Sequence, residues 1–176
     1  MHEFDSREAL MGELVPGKCV VEVGVFEGDF ANTLLGFSPE RLWLVDCWEN
    51  QKGSYESDPF NTLNLPAMFA GVVQRFQGCN SVSVLRAYSL EASRLFVDGH
   101  FDTVYLDADH SEAAVYADIL AWWPKVRRGG YLAGHDFLDE QHLHVKPAVE
   151  RWLRDEGLEL WAVTKDCPPS WAVFKE

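Results

Sequence analysis

The chain has 176 residues, enough for one domain with a substantial buried core, and its 47% hydrophobic and 24% charged content excludes a disordered or fibrous protein. Fifteen Lys and Arg against 28 Asp and Glu leave a net charge of -13, a surface that repels phosphate backbones and anionic lipid, so neither nucleic acid nor membrane is expected as a partner. No apolar run approaches the roughly 20 residues of a membrane span and the N-terminus lacks a signal-peptide core, so the expected location is cytoplasmic.

Residues 6–15 read as a short, exposed helix ended by Pro16-Gly17. The run 19–25 (CVVEVGV) is apolar and β-branched, hence a buried strand, and 28–37 follows as a helix. A second strand covers 42–47. Residues 49–66 form a polar loop of the length that lids and binding loops have. Met68, Phe69, Val72, Val73 and Phe76 recur at helical spacing. A third strand is expected at 82–85, a short helix at 90–97 and a fourth strand at 103–106.

Val115, Ile119, Trp122, Trp123 and Val126 mark an amphipathic helix, and 131–133 the centre of a fifth strand entered through Arg128-Gly129-Gly130. Val145, Ala148, Val149, Trp152 and Leu153 predict the last helix, with Gly157 as its stop. Strands at 158–164 and 171–175 flank a Cys-Pro-Pro turn, too close for an intervening helix, and so pair antiparallel. The four cysteines form no CxxC pair, which argues against zinc, and Cys19 and Cys47 read as free thiols in buried strands.

Alternating strands and helices predict a doubly wound α/β sheet, which binds ligands at the carboxyl ends of its strands. Acids stand in or at the ends of four predicted strands: Glu22, Asp46, Asp107 and Asp136. Carboxylates beside apolar runs are costly to bury without a partner, so this edge suits a ligand with hydroxyls and positive charge. The first turn, Glu22-Val-Gly24-Val-Phe-Glu-Gly28, is GxxxG rather than the GxGxxG that cradles a dinucleotide, and Glu27 would repel a pyrophosphate at the helix start. Asp46 can accept hydrogen bonds from ribose hydroxyls, and Trp48 can stack on or cover a flat base. A nucleoside with a cationic part and no pyrophosphate fits these features, and S-adenosylmethionine is such a molecule.

The stretches VVEVGVFEGDFANTLL, RLWLVDCWENQ, VLRAYSLEAS and FDTVYLDADHSEAAVYADILAWWPKVRRGGYLAGHDF span residues 20–137. In them the chain resembles the class I S-adenosylmethionine-dependent methyltransferases, and most of all the small single-domain branch called methyltransferase domain 24. The pairing of LDADHS with GGYLAGHDF carries most of the likeness. The resemblance implies one methyltransferase domain over residues 1–176. Its fold would be a three-layer, class I methyltransferase-like Rossmann fold with a mostly parallel seven-stranded sheet and an antiparallel C-terminal strand.

It further implies that Glu22, Gly24 and Gly28 line the methionine side of the cofactor and that Asp46 holds the ribose. Cys47 and Trp48 would flank the adenosine, Ser89 would lie near the adenine, and Asp107 would sit at the centre near the transferred methyl. Asp109, His110, His135 and Asp136 would face a small or medium-sized hydroxylated acceptor.

His110 and His135 are the candidate bases, because imidazole titrates near neutral pH. Asp107 and Asp136 match the acids of the family's metal-dependent members, with Asp109 or Asp139 as further oxygen ligands. His135 stands where such enzymes often carry another acid, which weakens the case for Mg²⁺; the imidazole suits Mn²⁺ or Fe²⁺, or is no ligand at all, and the divalent cation expected, if one binds, is Mg²⁺ or Mn²⁺. A nicotinamide-dependent oxidoreductase, or a hydroxylase-like or non-catalytic protein on the same sheet, is the alternative reading. The N-terminal helix and the aromatic content permit a homodimer.

Overall fold

The computed structural model describes residues 1–49, 63–140 and 143–176. Its strands and helices alternate as the hydrophobic pattern requires. In chain order they are β1 (His2–Phe4), α1 (Arg7–Leu14), β2 (Cys19–Val23), α2 (Asp29–Gly36), β3 (Arg41–Asp46), α3 (Leu65–Arg75), β4 (Val82–Arg86) and α4 (Ser89–Ser93). Then follow β5 (Phe101–Leu106), α5 (Glu112–Trp122), β6 (Val126–Gly134), β7 (Asp139–Glu140), β8 (Leu143–His144), α6 (Val145–Glu156), β9 (Ala162–Thr164) and β10 (Trp171–Phe174).

The main sheet runs β1-β9-β10-β6-β5-β2-β3-β4. The strands from β6 through β5, β2 and β3 to β4 are parallel, and β10 is antiparallel to both β6 and β9. The seven-stranded, mostly parallel sheet with a reversed C-terminal strand is therefore present, extended by one strand. That strand, β1, pairs parallel with β9 and carries too few residues to leave a hydrophobic signature of its own.

Alternate residues of each strand feed two apolar layers. On one face Val21, Val23, Val104 and Leu132 pack under Val115, Ile119 and Trp122 of α5 and Val149 and Trp152 of α6. On the other, Val20, Leu42, Leu44 and Tyr105 pack under α1, α2 and α3. Leu10, Met11 and Leu14 of α1 are fully buried there. The N-terminal helix is thus not an exposed one: its apolar side is core, each such side chain stabilising the fold by about 1.5–3 kcal/mol.

Local signals set most boundaries. Ser6 caps α1 with its hydroxyl on Ala9 N, Asn64 caps α3 ahead of Pro66, and Gly157 ends α6 in the left-handed region. The helix expected at 90–97 stops at Ser93, and Leu95 and Val97 lie exposed before the Asp98-Gly99 turn. Of the polar loop 49–66, residues 50–62 lie outside the described residues. Among the described residues, no helix is long and apolar enough to cross a membrane.

Candidate active site

Strand order reverses at β2, which pairs with β3 on one side and β5 on the other. The loops leaving these strands meet above the carboxyl edge. Gly24 follows β2 at φ 90°, and a Cβ there would overlap the Asp107 carbonyl and lie 2.7 Å from Ala108 Cα. Only glycine permits this approach, which locks the end of β2 to the end of β5. Three non-glycine residues at this edge, Phe26, Trp48 and Asp136, also have left-handed φ (54°, 44° and 50°). Such backbone costs on the order of 1–3 kcal/mol per residue, and it clusters at functional sites.

Asp46 holds one corner. Its Oδ2 accepts from Val25 N (2.9 Å) and Phe26 N (3.0 Å), and its Oδ1 accepts from Trp48 N (2.8 Å). These bonds offset the strain at Phe26 and Trp48. A carboxylate offers about four lone-pair directions, so one remains for a ligand hydroxyl. Trp48 is buried, its ring centroid 5.0 Å from that of Phe69 and its Nε1 donating to Phe26 O (2.8 Å). The indole is therefore part of the packed floor of this corner. Cys47 is half-buried, its thiol raised by desolvation. Gly28 caps α2 with φ 80°, and a Cβ there would meet Val72 of α3 and Phe76 just beyond its end.

Glu22 is 1% exposed, and its Oε2 has no hydrogen-bond partner among the described residues. Burial pushes its carboxyl well above the usual range; nearby Asp107 and Asp46 add to this, while Arg7 opposes it. A buried carboxylate oxygen left without a donor is costly, and a ligand ammonium would satisfy it.

The other corner joins β5 to β6. His110 Nε2 lies 2.9 Å from Asp136 Oδ2 and 3.6 Å from Asp107 Oδ1. The shorter contact lacks hydrogen-bond alignment, as in a cluster gathered around shared charge. His135 Nδ1 stands 3.3 Å from the same Asp136 oxygen and 3.9 Å from Asp107. Burial alone would lower the His110 pKa, but Asp107 and Asp136 outweigh it and push it up to about 10. Burial likewise works to raise Asp136, yet the two imidazoles hold it below the usual carboxylate range.

One donor atom each from Asp107, His110 and Asp136 lies within 4.8 Å of the others, a spacing that suits a divalent cation. Asp109 and Asp139 stand apart from this group. Asp109 Oδ1 accepts from Ser111 N (2.7 Å) at the start of α5, and Asp139 pairs with His144 (3.0 Å).

Ser89 points inward. Its hydroxyl donates to Asp118 Oδ1 (2.5 Å) and accepts from Trp122 Nε1 (2.9 Å). Asp118 is buried, and desolvation raises its carboxyl to about 6. Asp118 carries no strand-end or motif signal in the sequence; its only mark is a place in the buried stripe of α5 between Val115 and Trp122. Arg7, far from the strand-end acids in the chain, carries no such signal either, and its Nη1 lies 3.7 Å from Asp107 Oδ2.

A family model of a methyltransferase domain matches residues 21–137, which run from within β2 through β6 and include Glu22, Asp46, Asp107 and Asp136. The chain belongs to that methyltransferase family. Its fold is that of the class I S-adenosylmethionine-dependent enzymes, as three solved structures illustrate. A candidate rRNA methylase from Clostridium thermocellum is 15% identical, with all of both chains covered and a TM-score of 0.68. Aeropyrum pernix fibrillarin, solved with natively bound S-adenosyl-L-methionine, is 18% identical over 94% of this chain and 72% of its own, with a TM-score of 0.64. A Burkholderia thailandensis 1,6-didemethyltoxoflavin N1-methyltransferase, solved with that compound and S-adenosylhomocysteine, is 14% identical over 96% of this chain and 77% of its own, with a TM-score of 0.63. At such identities the likeness shows the fold of this methyltransferase and leaves its acceptor open. No curated protein matches the sequence.

Proposed function

We propose that this methyltransferase moves the sulfonium methyl of S-adenosylmethionine to a hydroxyl of a small or medium-sized acceptor, beside the Asp107–His110–Asp136–His135 cluster. The observation that carries this reading is the seating of His110 between two carboxylates at the ends of adjacent strands, next to the point where strand order reverses. On the cofactor side, the orphaned Glu22 Oε2 suits an ammonium, and the remaining lone pair of Asp46 suits a ribose hydroxyl.

In the transfer, the acceptor oxygen forms the new C–O bond as the C–S bond breaks. The electron pair leaves with sulfur, and the hydroxyl proton must go to a base. His135 takes it: with Nδ1 turned to Asp136, its Nε2 faces away from that carboxylate and accepts the proton. His110, held as a cation by Asp107 and Asp136, balances their charge and holds them in place. Alternatively, Asp107, Asp136 and His110 in its neutral form would hold Mn²⁺, the ion taking the place of the His110 proton, and it would supply Lewis acidity toward the acceptor hydroxyl. Positioning of the acceptor against the methyl group supplies much of the remaining acceleration.

Calorimetry with S-adenosylhomocysteine tests the cofactor assignment. Micromolar binding, about -8 kcal/mol, is expected, with at least a tenfold loss in Asp46→Ala. Equal affinity in both proteins would remove Asp46 from the site. For the cation, Mn²⁺ titration followed by electron paramagnetic resonance should show one bound ion in the native protein and weakened binding in Asp136→Asn. Indistinguishable curves would exclude the cluster as its ligands.

A further inference from the structure

We infer that Arg7 binds the carboxylate at the amino-acid end of the cofactor, so that Arg7 and Glu22 together clamp an α-amino carboxylate. The inference rests on the S-adenosylmethionine reading above and adds a residue that the strand-end acids do not supply. The methionine end of that molecule bears an ammonium, a sulfonium and a carboxylate. Glu22, Asp46, Asp107 and Asp136 suit the first two and repel the third. A cation must balance the carboxylate.

Arg7 stands where that cation is needed. Its guanidinium carbon lies 4.0 Å over the Phe30 ring, and Nη1 reaches to 3.7 Å from Asp107 Oδ2. Nε is 3.6 Å from Glu8 Oε1. Both carboxylates are beyond hydrogen-bond length, and although the guanidinium also pairs with the buried Tyr105 hydroxyl, the planar fork has five N–H groups and keeps donors for a bidentate partner. Glu22, with its buried unpartnered oxygen, is within electrostatic reach of this guanidinium. The other arginines near this edge are engaged elsewhere: Arg86 donates to Cys47 O and Trp48 O, and Arg75 pairs with Asp29.

The position of Arg7 is built, not incidental. Its backbone N–H donates to Asp166 Oδ2 (2.8 Å), and the same carboxylate accepts from Thr164 Oγ1. Pairing of β1 with β9 anchors the segment just before it. Leu10, Met11 and Leu14, buried one to two turns further on, hold the helix to the sheet. Residues from the far end of the chain thus fix where the guanidinium stands.

The test compares S-adenosylhomocysteine with its decarboxylated analogue, 5′-deoxy-5′-(3-aminopropylthio)adenosine, by calorimetry on native protein, Arg7→Met and Arg7→Lys. Arg7→Met should weaken S-adenosylhomocysteine roughly 10- to 100-fold, the range for a charge-assisted hydrogen bond, and change the analogue less than about twofold. Arg7→Lys should recover part of the loss. The unaffected analogue doubles as proof that the variant is folded. Equal losses on both ligands with Arg7→Lys folded and behaving alike, or no loss on S-adenosylhomocysteine, would overturn the clamp while leaving the cofactor reading intact. Native protein that binds neither ligand would instead overturn the cofactor reading, and the clamp with it.

Discussion

Gly24→Ala should destabilise this protein by about 4 kcal/mol or more, an effect in the range reserved for specific structural faults. Two penalties coincide. The position has φ 90°, where a Cβ is strained, and the added atom would overlap the Asp107 carbonyl. Neither neighbour can give way, because the obstacle is backbone: Asp107 N donates to Val23 O (2.7 Å), and Gly24 N donates to Val45 O (2.8 Å). Relief would have to part β2 from β5 at the one place where strand order reverses. Urea denaturation of the variant measures the loss, and S-adenosylhomocysteine binding should fail together with it. A variant within 1 kcal/mol of the native protein would show that the β2 turn can relax without parting the strands.

Asp118→Asn should have the second-largest effect, and in the stabilising direction. Desolvation raises the Asp118 carboxyl from 3.8 to about 6, with Asp109 adding to the shift and the Ser89 hydroxyl opposing it. A raised carboxyl means that the folded state holds its proton over a pH range in which the unfolded chain has released it. Stability from this group is therefore full below about pH 4 and falls as pH rises to about 6. The loss is about 3 kcal/mol by linkage. Asparagine keeps an oxygen to accept from Ser89 and carries no charge to bury. Denaturation curves at several pH values should show the variant equal to the native protein near pH 4 and more stable by about that amount at pH 7.5. Parallel curves for the two proteins would show that Asp118 does not titrate in this window.

The fold was largely legible because its signals are local or periodic. The run Cys19–Val23 is apolar enough to be a buried strand wherever it lies, and Pro16-Gly17 and Gly157 stop helices through backbone chemistry alone. The antiparallel C-terminal pair followed from spacing. By contrast, β1 has only three residues and exists because β9 offers an edge to pair with. The apolar side of α1 was equally hidden: a short helix rich in charge reads as a surface element until the sheet that it covers is known.

The site divides in the same way. A carboxylate beside a β-branched run carries its own warning of cost, so Glu22, Asp46, Asp107 and Asp136 stood out in the sequence, and the LDADHS and GHDF segments brought His110 and His135 with them. What each acid touches could not be read that way. That Asp46 is already tied to three backbone N–H groups follows from two turns closing on one another. That Trp48 packs against Phe69 depends on where α3 lies. Asp109 and Asp139 look like ligands by residue type alone, and only the folded backbone directs them to a helix start and to His144. Residue chemistry and spacing thus determined the alternation, the strand-end acids and the family likeness, because each depends on a few neighbours in the chain. The union of Arg7 with Asp107, and of His110 with Asp136, was decided only by the tertiary structure, because hydrogen bonding in the sheet is what draws together groups that the sequence keeps apart.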